Sequence, residues 1–273
     1  METLKQHQQM KSVFDEYATI YDATFTHSLN GKYQRNKFYE LLKIFLLKEA
    51  NKSSSTHQFS VLEINCGTGE DAQWLGKKGY TVMATDVSRG MIEKAITKNK
   101  DLSNVTCKVC AFEELKTDFK NQQFDLLLSN FGGINCVSPE TFSKLISDFH
   151  SLLKPDGKLI LVIMPPIYIW DWVYFLLKGK LNSAKRRLSK AEITIGNNIQ
   201  STYYYSQKDL SKLCNGYFEI KKSAALGQLI PAPYLEKKLS WLFPFLQKAE
   251  KVFANILPHD WSDHTYYELH RKS

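Results

Sequence analysis

At residues 61–71 the chain reads VLEINCGTGED. The first part is a short apolar run, the composition of a strand that is buried on both faces. The run then breaks into NCGTG at residues 65–69, residue types that tolerate positive φ and let a backbone approach a ligand closely. The residues after the glycines are typical of the first turns of a helix. Strand, glycine loop and helix N-terminus together predict a cradle for a small molecule.

Two acids accompany this stretch. Glu63 lies inside the predicted strand, where an uncompensated carboxylate would cost several kcal/mol, so we expect it to face a cationic or donor-rich ligand rather than a pyrophosphate. Asp86 ends the next predicted strand about 20 residues on, where an acid can accept hydrogen bonds from ribose hydroxyls. The spacing EINCGTG is not G-x-G-x-x-G, which argues against a dinucleotide site.

The flanking sequence alternates strand and helix patterns, which predicts a parallel sheet covered on both faces. The predicted strands are residues 59–65, 80–86, 105–110, 124–130, 158–164, 200–205, 217–225 and 265–270. The last of these alternates like a half-exposed strand. The predicted helices are residues 69–78, 88–98, 139–153 and 207–213, with a turn at 155–157 and a helical insertion at 233–256.

The N-terminal residues 12–25, SVFDEYATIYDATF, carry aromatic and apolar side chains at helical spacing. Two interpretations stay open: a helix that docks on the domain, or one whose Tyr17 or Tyr21 closes over a bound ligand. Asn30-Gly31 predicts a break before a second helix at residues 33–47. The polar residues 51–57 predict a linker into the first strand.

Beyond Pro165-Pro166 the alternation stops. The following residues form an aromatic helix, a basic segment and a strand-like end, which predicts a lid above the carboxyl edge of the sheet. Residues 167–187 fit either a cap over the acceptor pocket, the favoured interpretation, or an interfacial helix in peripheral contact with a membrane. In both cases the acceptor side is aromatic and apolar.

Composition fits one sizeable domain: 273 residues, 43% of them hydrophobic, with a net charge of +8. The charge permits nucleic acid, acidic lipid or anionic substrates without choosing among them. Five scattered cysteines argue against a disulfide framework and, with a polar N-terminus, predict a cytoplasmic location. Cys107 and Cys110 would point to opposite faces of a strand, so no metal site is expected. The longest apolar stretch, 159–170, is too short to span a bilayer.

Further stretches carry, in order along the chain, the motifs of a known superfamily. They are TDVSRGM at residues 85–91, CAFEEL at 110–115, FDLLLSNFGGINCV at 124–137 and LKPDGKLIL at 152–161. With VLEINCGTG they make the chain similar to the class I S-adenosylmethionine-dependent methyltransferases over residues 17–161. The opening FDEYATIYDATF resembles the N-terminal helix of the small-molecule members.

The resemblance implies an α/β fold: a Rossmann-like, doubly wound, mostly parallel seven-stranded sheet with an antiparallel last strand, N-terminal helices and a helical lid insertion. We expect a single domain over residues 1–273. Its parts are N-terminal helices (1–57), a cofactor-binding core (58–164), a lid insertion (165–205) and the C-terminal part of the sheet with a helical insertion (206–273).

The resemblance also implies S-adenosylmethionine as cofactor and S-adenosylhomocysteine as product. Glu63 would hold the glycine loop and meet the methionine amino group, and Asp86 would take both ribose hydroxyls. The other residues implied to contact the cofactor are Tyr17, Tyr21, Asn65, Cys66, Gly67, Gly69, Val87, Met91, Ala111, Phe112, Ser129, Asn130 and Phe131. Asn65 stands where the family usually has glycine; since asparagine tolerates the left-handed region, we expect the loop to be preserved. Cys110 stands where many relatives carry an acid for the adenine amine.

The predicted function is methyl transfer from S-adenosylmethionine to a small, hydrophobic or aromatic acceptor. The net charge suggests methylation of RNA or protein as an alternative. However, the lysines are spread, and Asn130 is followed by Phe131 rather than by the proline of many nucleobase amino methylases, so nucleic acid is not expected. A non-catalytic cofactor-binding scaffold is the third possibility.

The sequence does not identify the catalytic residues, because a base is needed only if the acceptor must lose a proton early. Tyr21 and His264 are the candidates. Asp263-His264 resembles a recurrent end-strand feature of related enzymes, and a structural role is favoured for His264 because a base also needs reach to the acceptor.

Overall fold

The structure is a computed structural model that describes residues 13–52, 58–195, 198–253 and 256–272. Its strands are β1 (Ser60–Ile64), β2 (Thr81–Asp86), β3 (Val105–Val109), β4 (Phe124–Ser129), β5 (Leu153–Ile163), β6 (Ala191–Ile195), β7 (Asn198–Thr202), β8 (Phe218–Leu226) and β9 (His264–Arg271). Its α-helices are α1 (Leu29–Lys52), α2 (Glu70–Lys77), α3 (Arg89–Asn99), α4 (Leu115–Asp118), α5 (Pro139–Leu152), α6 (Ile169–Leu177), α7 (Leu181–Ala184), α8 (Gln207–Leu213), α9 (Glu236–Leu239) and α10 (Phe243–Phe253). Shorter helical segments are the π-helix Asp22–Thr26 and the 3₁₀ turns Phe112–Glu114, Ile134–Cys136, Arg186–Leu188, Pro233–Leu235 and Ser240–Leu242.

Seven of the strands form one sheet in the order β3-β2-β1-β4-β5-β9-β8. β9 is antiparallel to both of its neighbours, and the other pairs are parallel. This confirms the predicted mostly parallel sheet with an antiparallel last strand. The predicted half-exposure of residues 265–270 is wrong, because β9 lies between β5 and β8 and Tyr266 and Tyr267 are fully buried. β6 and β7 pair as a separate hairpin, of which only the second strand was indicated by the sequence.

Helices cover both faces of the sheet. Leu62 and Ile64 of β1 pack in one apolar core, which also contains Phe142 and Phe149 of α5. Val61 points the opposite way, into a second core with Phe38 of α1. Because successive side chains of a strand alternate between faces, β1 is buried on both, as its apolar run predicts.

The predicted break at Asn30-Gly31 is wrong, since α1 runs through it from Leu29. The Glu236 carboxylate accepts hydrogen bonds from the backbone N–H groups of Leu29 and Asn30, at 2.9 and 3.1 Å, and so caps the helix from a distant segment. Gly31 serves a close approach instead, because a Cβ there would lie 2.0 Å from the carbonyl oxygen of Phe25. The N-terminal prediction fails in part too: a helical turn at residues 13–17 gives way to the π-helix. Of the predicted linker, residues 53–57 lie outside the described residues.

Two insertions interrupt the regular alternation: the first insertion at residues 165–205 and the second insertion at residues 233–256. The first contains short helices, among them α6, and the hairpin of β6 and β7; the second is built of short helices, among them α10. The turn predicted at 155–157 lies inside β5, which already begins at Leu153, and the pairing of β5 with β4 shifts its register there. None of the described helices is both long and apolar enough to cross a bilayer.

Candidate cofactor site

A cavity opens at the carboxyl ends of β1, β2 and β4, where a parallel sheet presents its loops to a ligand. It encloses about 710 Å³ of space free of protein atoms, open solvent at its mouth included. The lining residues are Phe14, Tyr21, Asn65, Gly67, Asp86, Val87, Met91, Cys110, Ala111, Phe112, Asn130, Phe131, Gly132, Gly133 and Cys136.

The glycine loop leaves β1 in the left-handed region. Asn65 has φ +54° and Gly67 has φ +54°, so asparagine adopts the conformation expected of it. The Asn65 side chain also bonds: Nδ2 donates to the carbonyl of Asn130 at 2.8 Å, and Ser129 Oγ donates to Oδ1 at 2.6 Å. A glycine could not make these two bonds. Asn65 therefore ties the loop to the end of β4.

Asp86 closes β2 beside this loop. Its carboxylate accepts hydrogen bonds from the backbone N–H groups of Gly67 and Ser88, each at 2.9 Å. Burial raises the pKa of Asp86 to about 6, against the opposing effect of these two hydrogen bonds. The carboxylate lines the cavity and retains lone pairs for further donors. It can accept hydroxyl hydrogen bonds from a ligand.

Glu63 lies beneath the loop and is 2% exposed. Burial raises its pKa well above the usual range, and the charge of Asp71 adds to the shift while that of Arg35 opposes it. Its Oε2 is buried with no hydrogen-bond partner among the described residues. An unpaired buried carboxylate oxygen behind the cradle fits a ligand that brings a donor or a positive charge.

A buried ion pair supports the floor of the cavity. Arg35 of α1 pairs with Asp71 of α2, and the Tyr39 hydroxyl donates to the same carboxylate at 2.8 Å. Asn130 Nδ2 donates to the other Asp71 oxygen at 2.6 Å, and the Arg35 guanidinium lies 4.7 Å from the centre of the Phe131 ring. Sequence reasoning missed this pair, although the spacing of Arg35 relative to Phe38 and Leu42 put it on the apolar side of the helix.

The N-terminal segment covers the mouth of the cavity. Two carboxylates attach it: Asp15 accepts from Ser88 Oγ and Gly90 N at 2.7 and 2.9 Å, and Asp22 accepts from Thr68 Oγ1 at 2.6 Å. Tyr21 lines the cavity, and burial raises its pKa, so its hydroxyl stays protonated at neutral pH. It can donate a hydrogen bond there, and the raised pKa disfavours a role as a base.

Most of the residues implied by the resemblance meet at this cavity. Five do not line it: Tyr17, Glu63, Cys66, Gly69 and Ser129. Tyr17 packs edge-on against Tyr21 with ring centres 5.6 Å apart, and Gly69 is the N-cap of α2. The lining residues that sequence reasoning did not single out for the site are Phe14, Gly132, Gly133 and Cys136; Cys110 also lines it, at the position where many relatives carry an acid for the adenine amine. Gly132 and Gly133 lie within the quoted motif FDLLLSNFGGINCV, which was the available signal.

His264 lies behind the cavity wall. The Phe131 ring stands edge-on to the His264 ring, with centres 5.6 Å apart. His264 Nδ1 is 3.5 Å from Asp263 Oδ2, and Asp263 is also bound by Arg187 at 2.7 Å and Gln34 at 2.8 Å. Of the two catalytic candidates, therefore, Tyr21 lines the cavity and His264 does not.

Residues 61–157 match a protein-family profile described as a methyltransferase domain. The chain is 28% identical over 207 residues to a methyltransferase of Staphylococcus carnosus, covering 76% of this chain and 89% of the relative. It is 27% identical over 212 residues to a malonyl-[acyl-carrier protein] O-methyltransferase of Priestia megaterium, covering 76% of this chain and 66% of the relative.

Solved structures share the fold along the whole chain. Magnesium protoporphyrin IX methyltransferase of Synechocystis, solved with bound S-adenosylhomocysteine, superposes with a TM-score of 0.60 over 100% of both chains at 17% identity. The ordered motifs, the sheet order with its antiparallel β9, and the profile match agree with one another. Together they support the class I S-adenosylmethionine-dependent methyltransferase superfamily, whose cofactor is S-adenosylmethionine, with the profile itself matching residues 61–157.

Proposed function

We propose that this protein transfers the methyl group of S-adenosylmethionine to a small organic acceptor of apolar or aromatic character. The observation that carries the proposal is the chemistry of the cavity wall: of its fifteen described lining residues, Asp86 alone bears a charge. A phosphorylated or polyanionic acceptor would call for lysine or arginine at the wall. The remaining surface, with Phe14, Phe112 and Phe131, suits an apolar partner.

We infer the orientation of the cofactor from the polar groups of the site. Asp86 would accept from the ribose hydroxyls, with Val87, Met91 and Phe112 around the adenine. The Ala111 N–H already donates to Glu114 at 2.9 Å, so a backbone donor to adenine would come from Phe112. In this orientation Glu63, whose Oε2 has no hydrogen-bond partner among the described residues, would be on the side of the methionine amino group and would meet it directly or through water.

When bound, the cofactor supplies a methyl group already activated on a sulfonium. The chain then has to hold the acceptor in line with it and exclude water, which gives much of the acceleration in such displacements. Tyr21, Phe25 and Phe131 form a continuous aromatic wall, with ring centres 5.6 and 5.2 Å apart. Because Tyr21 stays protonated and Asp86 is held by two N–H groups, we infer an acceptor that is nucleophilic without a base from the wall.

A panel of acceptors tests the proposal. With methyl-labelled cofactor, we expect turnover on apolar carboxylic acids, which are ionised at neutral pH and need no base, and none on nucleosides or phosphorylated metabolites. Transfer only to RNA or to protein would replace the proposal with the macromolecular alternative. Binding of the cofactor without transfer to any acceptor in a cell extract would favour the scaffold.

Cofactor affinity should depend on pH through Asp86. Ribose hydroxyls donate to the ionised carboxylate, and with a pKa of about 6 that form is lost as the pH falls. We expect S-adenosylhomocysteine, measured by calorimetry, to bind about tenfold more weakly at pH 5 than at pH 7.5. Asp86→Asn should bind about 1–3 kcal/mol more weakly at pH 7.5 and lose most of this pH dependence. An unchanged affinity in the variant would show that Asp86 does not contact the ligand.

A further inference from the structure

Two helices of the insertions are oriented against the usual pattern. The residue of α6 that is buried is Asp171, while Leu177 of the same helix is 83% exposed. α10 buries Glu250 along with Phe243 and leaves Phe245 67% exposed. An amphipathic helix that covers a core does the reverse. Packing within the fold therefore does not explain why α6 and α10 expose apolar side chains.

The inward acids are fully engaged. The Asp171 carboxylate accepts from Arg186 at 2.9 and 3.0 Å, from Arg187 at 3.1 Å and from the Tyr234 hydroxyl at 2.8 Å. The Glu250 carboxylate accepts from the backbone N–H groups of residues 227–229 at 2.7 to 3.0 Å. These bonds hold both helices in place with their apolar sides outward.

The outward side is also basic. Residues 169–192 and 233–253 contain ten lysines and arginines and four acids. Three of those acids face inward partners: Asp171, Glu250, and Glu236, which caps α1. The cations Lys178, Lys180, Lys185, Lys237, Lys238, Lys248 and Lys251 are exposed. The surface thus combines unbalanced positive charge with exposed tryptophan, phenylalanine and leucine.

The two insertions adjoin. The Tyr234 ring lies 5.1 Å from that of Tyr174 and 5.9 Å from that of Phe175, and the Arg186 guanidinium covers both Phe175 and Tyr234. Trp241, which follows on the chain, is 76% exposed. We call the exposed side chains of residues 173–190 and 234–253 the apolar-basic surface. None of the residues lining the cofactor cavity belongs to it.

We propose that the apolar-basic surface docks the protein on an anionic lipid bilayer. Exposed lysines match anionic headgroups, and the apolar side chains between them can enter the interface, as in interfacial helices with a basic rim. A second copy of this surface would bring like charges together, which disfavours self-association through it. Docking uses other residues than methyl transfer, so the two can fail separately.

Sedimentation with vesicles tests the docking. We expect the full chain to bind vesicles of phosphatidylcholine with phosphatidylglycerol at least about tenfold more tightly than phosphatidylcholine alone, and to lose most of that binding in 0.5 M salt. Trp241→Ser and Lys237→Glu/Lys238→Glu should each weaken binding about tenfold or more. Ile96→Ser is the matched control, since Ile96 is 52% exposed on α3 outside this surface, and it should bind like the parent.

Cofactor binding by calorimetry and the thermal midpoint verify that each variant is folded. Equal binding to neutral and anionic vesicles, or binding insensitive to Trp241→Ser, would overturn the proposal. So would concentration-dependent dimerisation that Trp241→Ser abolishes, or binding to an acidic protein such as an acyl carrier protein but not to lipid.

Discussion

Gly67→Val is expected to abolish measurable cofactor binding, with a loss of at least about 100-fold, or about 2.7 kcal/mol, in affinity. Gly67 lines the cavity, and a Cβ at this position would lie 3.8 Å from the Tyr21 ring. The space between loop and ring would therefore be filled by the branched side chain. The ligand and the valine would compete for the same volume, because the loop is held in place by the bond from Gly67 N to Asp86.

Backbone strain is the competing explanation, since φ at Gly67 is +54° and β-branched residues disfavour that region. Gly79 supplies the matched control. It has φ +89°, and a Cβ there would meet no atom within 4 Å. Gly79→Val should lower stability by the same about 1–3 kcal/mol of strain and leave affinity for S-adenosylhomocysteine unchanged. If the two variants lost affinity equally, strain rather than occupancy of the cradle would be the cause.

The cradle was predictable from the sequence because its conformation is local. Residue types at 65–69 set the sign of φ, and the structure has Asn65 and Gly67 in the left-handed region. The length of the predicted strand puts Asp86 at the end of β2. In the structure its carboxylate contacts the glycine loop there, as expected. Short-range rules thus predicted the strand pattern and the glycine loop, but not the Arg35–Asp71 pair beneath the cavity.

Contacts between distant segments were not predictable in the same way. The sequence Asn30-Gly31 predicts a break between two helices. In the structure, Glu236, 206 positions from Asn30, caps the helix there. The sequence of α6 does not show that its buried residue is Asp171, because the partners of that carboxylate are Tyr234, 63 positions away, and two arginines. A carboxylate can be buried where distant residues supply hydrogen-bond partners. A single sequence does not show which residues those are.

Arg35→Met is expected to lower the free energy of unfolding by about 3–5 kcal/mol at pH 7, as for a buried ion pair that loses one partner. Arg35 interacts with two carboxylates of the site. It pairs with Asp71, and its charge opposes the raised pKa of Glu63. Burial acts to lower the pKa of Arg35, but Asp71 raises it further, so the guanidinium stays charged in the fold.

The pH dependence of the stability loss in Arg35→Met tests whether the ionisation of Glu63 contributes to it. Without Arg35, the pKa of Glu63 would rise further above its unfolded value. An acid raised in the folded state costs stability above its unfolded pKa, and the cost vanishes as the pH falls and the folded acid takes up its proton. Chemical denaturation should therefore show a loss for Arg35→Met that is no smaller at pH 8 than at pH 5 and that grows as the pH rises above the folded-state pKa of Glu63.

An exposed pair provides the contrast. Arg89 and Glu93 lie 3.0 Å apart with side chains 77% and 65% exposed, so Arg89→Met should change stability by less than about 0.5 kcal/mol at either pH.

The Arg35 variant should also bind the cofactor more weakly, because Arg35 lies against Phe131 and its partner Asp71 holds Asn130, both at the cavity wall. A defect as small as that of Arg89→Met would mean that water reaches the pair. In that case the unpaired oxygen of Glu63 would be solvated rather than reserved for a ligand.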